Sequence, residues 1–112
     1  MIHDIETLNY YQSSAVDTAI YPKKAELEYL TLGLSGEAGE IANKVKKILR
    51  GDKEFDEVAK KDLAAELGDV LWYLAVLADA LDVRLSQVAT DNIRKLMDRK
   101  ERNVLKGSGD NR

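Results

Sequence analysis

Residues 63–81 read LAAELGDVLWYLAVLADAL, and this stretch decides the fold. Its large apolar side chains recur at alternating intervals of four and three residues, which places them along one face of a helix. We call this set the leucine seam: Leu63, Leu67, Val70, Leu74, Leu77 and Leu81. Leu71, Trp72 and Val76 make further faces apolar, and a helix that is apolar nearly all round is buried on more than one side. In so small a chain, this pattern predicts an oligomer interface.

The helical period continues on both sides of this stretch. We predict helices over residues 4–20, 24–49, 57–81 and 85–104. Pro22 ends the first helix and Gly51 ends the second, and no segment alternates apolar and polar residues as a strand does. The fold class is therefore all-α, a four-helix bundle-like domain that oligomerises through its helices. We expect one domain over residues 1–106 and a flexible tail over residues 107–112.

Composition excludes several classes of protein. The 112 residues are 45% hydrophobic and 33% charged, which fits a globular domain and not a disordered chain. The net charge of −3 provides no electrostatic footprint for nucleic acid. No apolar run is long enough to span a bilayer, and the first residues lack the features of a signal peptide. We expect a cytoplasmic protein with no nucleic-acid or membrane partner.

Two pairs of carboxylates interrupt the apolar helices. Glu37 and Glu40 lie three residues apart in the second helix, and Glu66 and Asp69 do so in the third. Each pair flanks the apolar stripe of its helix, and antiparallel packing across a short loop brings the two pairs together. Two like charges about 5 Å apart cost roughly 3 kcal/mol at an effective dielectric constant of about 20. Either some of these groups are protonated, or a divalent cation lies among them.

The donor atoms indicate which cation fits. Carboxylate oxygens without a neighbouring histidine or cysteine favour Mg²⁺, with Mn²⁺ as a substitute, over Zn²⁺. A di-iron bundle needs a Glu-x-x-His motif, which the single histidine, His3, does not supply. The plainer alternative is a set of solvated surface charges, in which Glu40 pairs with Lys44 one turn later.

Four glycines lie among these acids inside predicted helices, at Gly33, Gly36, Gly39 and Gly68. Each costs about 1 kcal/mol relative to alanine. Either close helix packing or the close approach of a ligand compensates that cost.

Basic and polar side chains supply candidate substrate contacts. Asn92, Lys95 and Arg99 share a line on the fourth helix, and a basic line opposite an acidic metal site suits a phosphorylated substrate. Lys44 can also reach a phosphate. The alternative is a solvated basic face.

Two further residues have two interpretations each. Gln12 interrupts the apolar face of the first helix, and it either reads a base edge or caps an internal polar group. Tyr73, like its neighbour Trp72, either stacks on a base or belongs to the core.

These motifs together resemble those of a known family. Glu37-Ala38-Gly39-Glu40, followed by Glu66-Leu67-Gly68-Asp69, resembles the E-x-x-E and E-x-x-D signature of the all-α nucleoside triphosphate pyrophosphohydrolases, and of their MazG-like branch above all. The sequence around both pairs and the stretch Asn92-Ile93-Arg94-Lys95-Leu96 are similar too. The resemblance covers residues 27–112.

The resemblance implies a Mg²⁺-dependent hydrolase that converts a (deoxy)nucleoside triphosphate to the monophosphate and pyrophosphate, in a nucleotide-pool house-cleaning role. It implies that Glu37, Glu40, Glu66 and Asp69 bind the metal and form the catalytic set. Glu40 is the favoured residue for handling the attacking water, and Lys44, Lys95 and Arg99 would hold the phosphates. Members of the family assemble as homodimers or homotetramers with shared sites.

Two alternatives stay open at this point. Phosphoribosyl-ATP pyrophosphohydrolases resemble the same signature and act on a different substrate. A catalytically silent helical bundle with a regulatory or assembly role is the second. The base and the sugar of the substrate are not determined by these residues.

Overall fold

A computed structural model describes residues 2–102 of the chain. Its four helices are α1 (Leu8–Asp17), α2 (Glu26–Leu49), α3 (Glu57–Ala80) and α4 (Leu85–Glu101), and a short 3₁₀ turn, Lys23–Ala25, precedes α2. This range contains no strand, so the all-α prediction is confirmed. The predicted tail and the last residues of the predicted fourth helix lie outside the described residues.

The helix ends follow local capping chemistry. α1 is shorter than predicted because the Thr7 hydroxyl accepts a hydrogen bond from the backbone N–H of Tyr10 at 3.0 Å and caps the helix there. Asp56 caps α3 in the same way through the N–H of Ala59 at 2.9 Å. Gly51 adopts a φ of 88° directly after α2, which is the glycine stop that the sequence predicts.

α3 is the central helix of the fold. α2 packs along α3, α1 packs against α3 elsewhere, and α4 contacts both α1 and α3. No Cα atom of α2 lies within 8 Å of one in α1 or α4. The four helices of one chain therefore do not close into a complete bundle. None of the helices within residues 2–102 combines the length and the apolarity needed to cross a bilayer.

The core lies where α1, α3 and the start of α4 meet, with one residue from α2. Its buried apolar residues are Ala15, Leu30, Ala75, Val76, Ala78 and Leu85. The leucine seam of α3 remains largely outside it: Leu67, Leu74 and Leu81 are 59%, 42% and 58% exposed. The seam thus presents an apolar surface that the contacts within one chain do not cover.

Gln12 is a buried polar link between three elements. Its side-chain Nε2 donates to the carbonyls of Ala75 at 3.2 Å and Val83 at 2.9 Å, and its Oε1 accepts from the N–H of Leu85 at 2.9 Å. Of the two roles that the sequence leaves open, the structure shows the capping of internal polar groups. Both amide hydrogens are engaged there, and reading of a base edge by Gln12 stays a prediction.

Candidate metal centre

Three carboxylates converge between α2 and α3. One oxygen each from Glu37, Glu66 and Asp69 lies within 4.8 Å of the other two. Glu66 and Asp69 are three residues apart on α3 and so share a face, and α2 packs along this face with Glu37 directed toward them. Glu37 and Glu66 are half-buried, and Asp69 is exposed. The predicted meeting of acids from two helices is thus seen for three of the four residues.

Burial and the neighbouring acids raise the pKa of Glu37. Burial of the side chain is the largest cause, and the negative charges of Asp69 and Glu66 are the next largest. Together they raise the pKa of Glu37 above its ordinary value. A hydrogen bond between the carboxyl groups of Glu37 and Glu66 raises this pKa further. A bound divalent cation would offset the negative charges that raise this pKa.

The donor set fits a hard divalent cation. Mg²⁺ binds oxygens at about 2.1 Å, so two oxygens on one ion lie at most about 4.2 Å apart. The observed spacing of up to 4.8 Å therefore needs only small side-chain adjustments. Within residues 2–102, the cluster contains no histidine and no cysteine, and a ligand set made only of carboxylates disfavours Zn²⁺.

Glu40 is set apart from the other acids. It lies one turn after Glu37 on α2, and its charge adds to those that raise the pKa of Glu37. Its side chain is exposed and does not belong to the three-carboxylate cluster. Glu40 therefore does not share the proposed cation position, although it lies only one helical turn from Glu37.

Lys44 contacts carboxylates on α3. Its ammonium lies 2.7 Å from Oδ1 of Asp62 and 2.8 Å from Oε1 of Glu66. The hydrogen bond to Asp62, followed by the one to Glu66, raises the pKa of Lys44. The phosphate-binding role predicted for Lys44 stays a prediction, since the observed partners are acids. Sequence reasoning gave no role to Asp62, although it lies one turn before Glu66 on the same helix face.

Tyr73 packs beside the acidic cluster. Burial, the neighbouring Tyr29 and the charges of Glu37 and Asp69 raise its pKa, in that order. Its ring contacts Trp72 edge to face, with the ring centres 4.9 Å apart. Tyr73 and Trp72 therefore contribute to the packing around the core, and base stacking by Tyr73 stays a prediction.

The glycines divide into two groups. A Cβ on Gly33 would lie 2.1 Å from Cε1 of Tyr73, so this glycine allows a close approach between α2 and α3. A Cβ added at any of the other three glycines would have no neighbouring atom within 4 Å; these are Gly36, Gly39 and Gly68. Close packing within the chain thus accounts for Gly33 alone.

α1 also reaches the cluster, which the sequence did not indicate. Burial and the charge of Asp69 raise the pKa of Tyr11, a half-buried residue of α1. Gln12, the next residue, is held in the core by its three hydrogen bonds.

The candidate residues of α4 lie on a helix that does not pack against α2. Asn92 is exposed, Lys95 is half-buried, and Arg99 is buried at 3% exposure. Lys95 and Arg99 each make an interaction within the protein. Within one chain, α4 is therefore not packed beside the helix that carries Glu37.

Similarity to a known protein family decides to which family this chain belongs. A model described as the MazG nucleotide pyrophosphohydrolase domain matches residues 25–104. This chain belongs to the MazG family. The matched range includes all four candidate acids, and the all-α fold agrees with this assignment. Membership supports nucleotide pyrophosphatase activity in general and the use of a divalent metal, for which the three-carboxylate cluster provides a place.

A chain of similar sequence comes from a bacteriophage. The Gene 37 protein of Mycobacterium phage L5 is 55% identical over an alignment 112 positions long, which covers 94% of this chain and 98% of the phage protein. Its name specifies no substrate. No solved structure matches this chain.

Proposed function

We propose that this MazG protein is a Mg²⁺-dependent nucleoside triphosphate pyrophosphohydrolase. It hydrolyses the bond between the α- and β-phosphates of a (deoxy)nucleoside triphosphate and releases the monophosphate and pyrophosphate. The observation that carries the proposal is the convergence of Glu37, Glu66 and Asp69 within a chain of this family. We place the activity in the cytoplasm, in the removal of unwanted nucleotides.

The acids have distinct roles in this proposal. Glu37, Glu66 and Asp69 hold the cation, which when bound polarises phosphate oxygens and lowers the pKa of bound water. Glu40, which lies outside the cluster but one turn from it, orients the attacking water and accepts its proton. The water oxygen adds to phosphorus on one side of the α–β bridge, and the bridging oxygen leaves with the other fragment.

The substrate contacts in the proposal come from basic and aromatic residues. Lys95 and Arg99 neutralise phosphate oxygens, and Asn92 donates a hydrogen bond. Tyr73, which packs beside the cluster, contacts the base or sugar.

Assembly is part of the same proposal. α4 does not pack against α2 within one chain, and the leucine seam exposes Leu67, Leu74 and Leu81. Such an apolar surface is typical of a subunit interface. A homodimer or homotetramer that covers the seam can bring α4 of one copy toward the acids of another.

The proposal is tested by initial rates over a panel of standard and modified nucleoside triphosphates with Mg²⁺, with phosphoribosyl-ATP as a competing substrate class. We expect release of pyrophosphate from at least one triphosphate and faster turnover of it than of phosphoribosyl-ATP. For a catalytically silent bundle, calorimetry with Mg²⁺ and a non-hydrolysable deoxynucleoside triphosphate would show no metal-dependent binding. Folded protein that turns over no triphosphate would contradict the proposal.

A further inference from the structure

Lys44 ties α2 to two acids of α3. Its ammonium lies 2.7 Å from Oδ1 of Asp62 and 2.8 Å from Oε1 of Glu66. The exposed fractions of the side chains decrease toward the metal cluster, from 47% for Asp62 through 26% for Lys44 to 15% for Glu66. The most buried end of this chain of ion pairs, Glu66, is therefore a member of the three-carboxylate cluster.

The contact constrains how Glu66 presents its carboxylate. Asp62 and Glu66 are four residues apart and lie on the same face of α3, so a single lysine from α2 spans both. Lys44 holds Oε1 of Glu66, and the carboxylate keeps its second oxygen for another partner. Carboxylates that bind metals are as a rule oriented by hydrogen bonds of this kind, and loss of such a partner typically weakens metal affinity or activity by 10- to 100-fold.

We propose that Asp62 and Lys44 are a positioning pair for the metal site: Lys44 fixes the Glu66 carboxylate, and Asp62 fixes Lys44. This inference rests on the proposed role of Glu37, Glu66 and Asp69 as metal ligands. It assigns Asp62, which belongs to neither the predicted acidic set nor the three-carboxylate cluster, to the support of the site.

Charge explains why the pair includes an acid. An ammonium beside Glu66 orients the carboxylate, but its positive charge opposes a nearby divalent cation. Asp62 offsets this charge at a distance of 2.7 Å. The pair therefore orients Glu66 while adding no net charge to the site.

A phosphate-binding role for Lys44 leads to the opposite expectation for Asp62. If Lys44 served the substrate, Asp62 would compete with the phosphate for its ammonium. Removal of the Asp62 charge would then strengthen nucleotide binding and leave metal binding unchanged. Substitution of Asp62 therefore separates the two roles.

The test measures Mn²⁺ binding to the full chain in the absence of nucleotide, by calorimetry. Asp62→Asn should raise the Kd for Mn²⁺ about 10-fold or more. Glu57→Gln is the matched control, since it removes one negative charge from the same helix. Glu57 pairs with Lys60, is 83% exposed and lies more than two turns before Glu66. The Kd of the Glu57→Gln variant for Mn²⁺ should therefore equal that of the unsubstituted chain. Circular dichroism establishes that each variant is folded.

The outcomes separate this inference from the proposed function. If the unsubstituted chain binds Mn²⁺ and Asp62→Asn binds it equally well, the positioning role is overturned and the metal site stands. If the unsubstituted chain binds no Mn²⁺, the metal assignment and the inference both fall.

A kinetic measurement gives a second readout. Lys44→Met should lower kcat at saturating metal, with little change in the KM for nucleotide, because the lysine acts through Glu66. An increase in KM with unchanged kcat would contradict the positioning role.

Discussion

Tyr73 of α3 lies so close to Gly33 of α2 that a methyl group on the Gly33 Cα would sit 2.1 Å from Cε1 of the tyrosine ring. Two further ring atoms of Tyr73 lie within 2.7 Å of the same position. The contact brings the helix backbone of α2 against α3 one turn before Glu37. The distance between the two helices at the metal cluster therefore depends on the absence of a side chain at Gly33.

We expect Gly33→Ala to destabilise the protein by about 1–3 kcal/mol, because the tyrosine ring must move or the helices must separate. Gly36→Ala is the matched control, since no atom lies within 4 Å of its Cβ position. It should stabilise the helix by up to about 1 kcal/mol. Chemical denaturation of both variants in metal-free buffer measures the difference, and equal stabilities would contradict the close contact.

Gln12 is expected to be essential for stability. Gln12→Leu leaves the buried N–H of Leu85 and the part-buried carbonyl of Val83 without this partner, and it removes one of the bonds that the Ala75 carbonyl accepts. Each unsatisfied group costs about 1–3 kcal/mol. We expect a loss of about 3 kcal/mol or more in the free energy of unfolding. Ser13→Ala, an exposed substitution on the same helix, should change it by less than about 0.5 kcal/mol. A loss no larger than that of the control would contradict the capping role.

The metal-free protein should show a pH dependence that originates at Glu37. The pKa of Glu37 is raised above 4.5 in the folded state, so the folded state binds this proton more tightly than the unfolded chain. Its contribution to stability is complete below pH 4.5 and is lost as the pH rises through the folded-state pKa. The stability of the unsubstituted chain relative to Glu37→Gln should therefore fall as the pH rises above 4.5. Thermal unfolding of both proteins over a pH series tests this, and a constant difference would contradict it.

The exposed part of the leucine seam should mediate self-association. Leu74 is 42% exposed, and Leu74→Lys places a charge in the proposed interface, which should reduce the oligomer to smaller species. Ala65→Lys is the control, because Ala65 is exposed and faces the opposite side of α3. Light scattering after size-exclusion chromatography measures both masses. An unchanged mass for Leu74→Lys would exclude this part of the seam from the interface.

The helical period was sufficient to predict the convergence of Glu37, Glu66 and Asp69, because a short loop between two long helices leaves few ways to pack them. It could not separate Glu40 from this group. The rotation of α2 about its axis depends on contacts such as that between Gly33 and Tyr73, which the period does not reveal.

Long-range partners were equally inaccessible to sequence reasoning. Gln12 bonds to groups more than 60 positions away, so its structural role could only be stated as an alternative. The apolar period of the seam marks residues that need covering, but it does not say whether the same chain covers them. Asp62 lay on the correct helix face, yet only its contact with Lys44 reveals its relation to Glu66.

The most direct test of the central claim is the rate of pyrophosphate release from the common deoxynucleoside triphosphates with Mg²⁺, compared between the unsubstituted chain and Asp69→Asn. The substitution removes one charge from the cluster and keeps nearly the same volume. We predict pyrophosphate release by the unsubstituted chain and its loss in Asp69→Asn, with the helical circular dichroism spectrum intact. Equal rates of release by the two folded proteins would contradict the assignment of this cluster as the catalytic metal site.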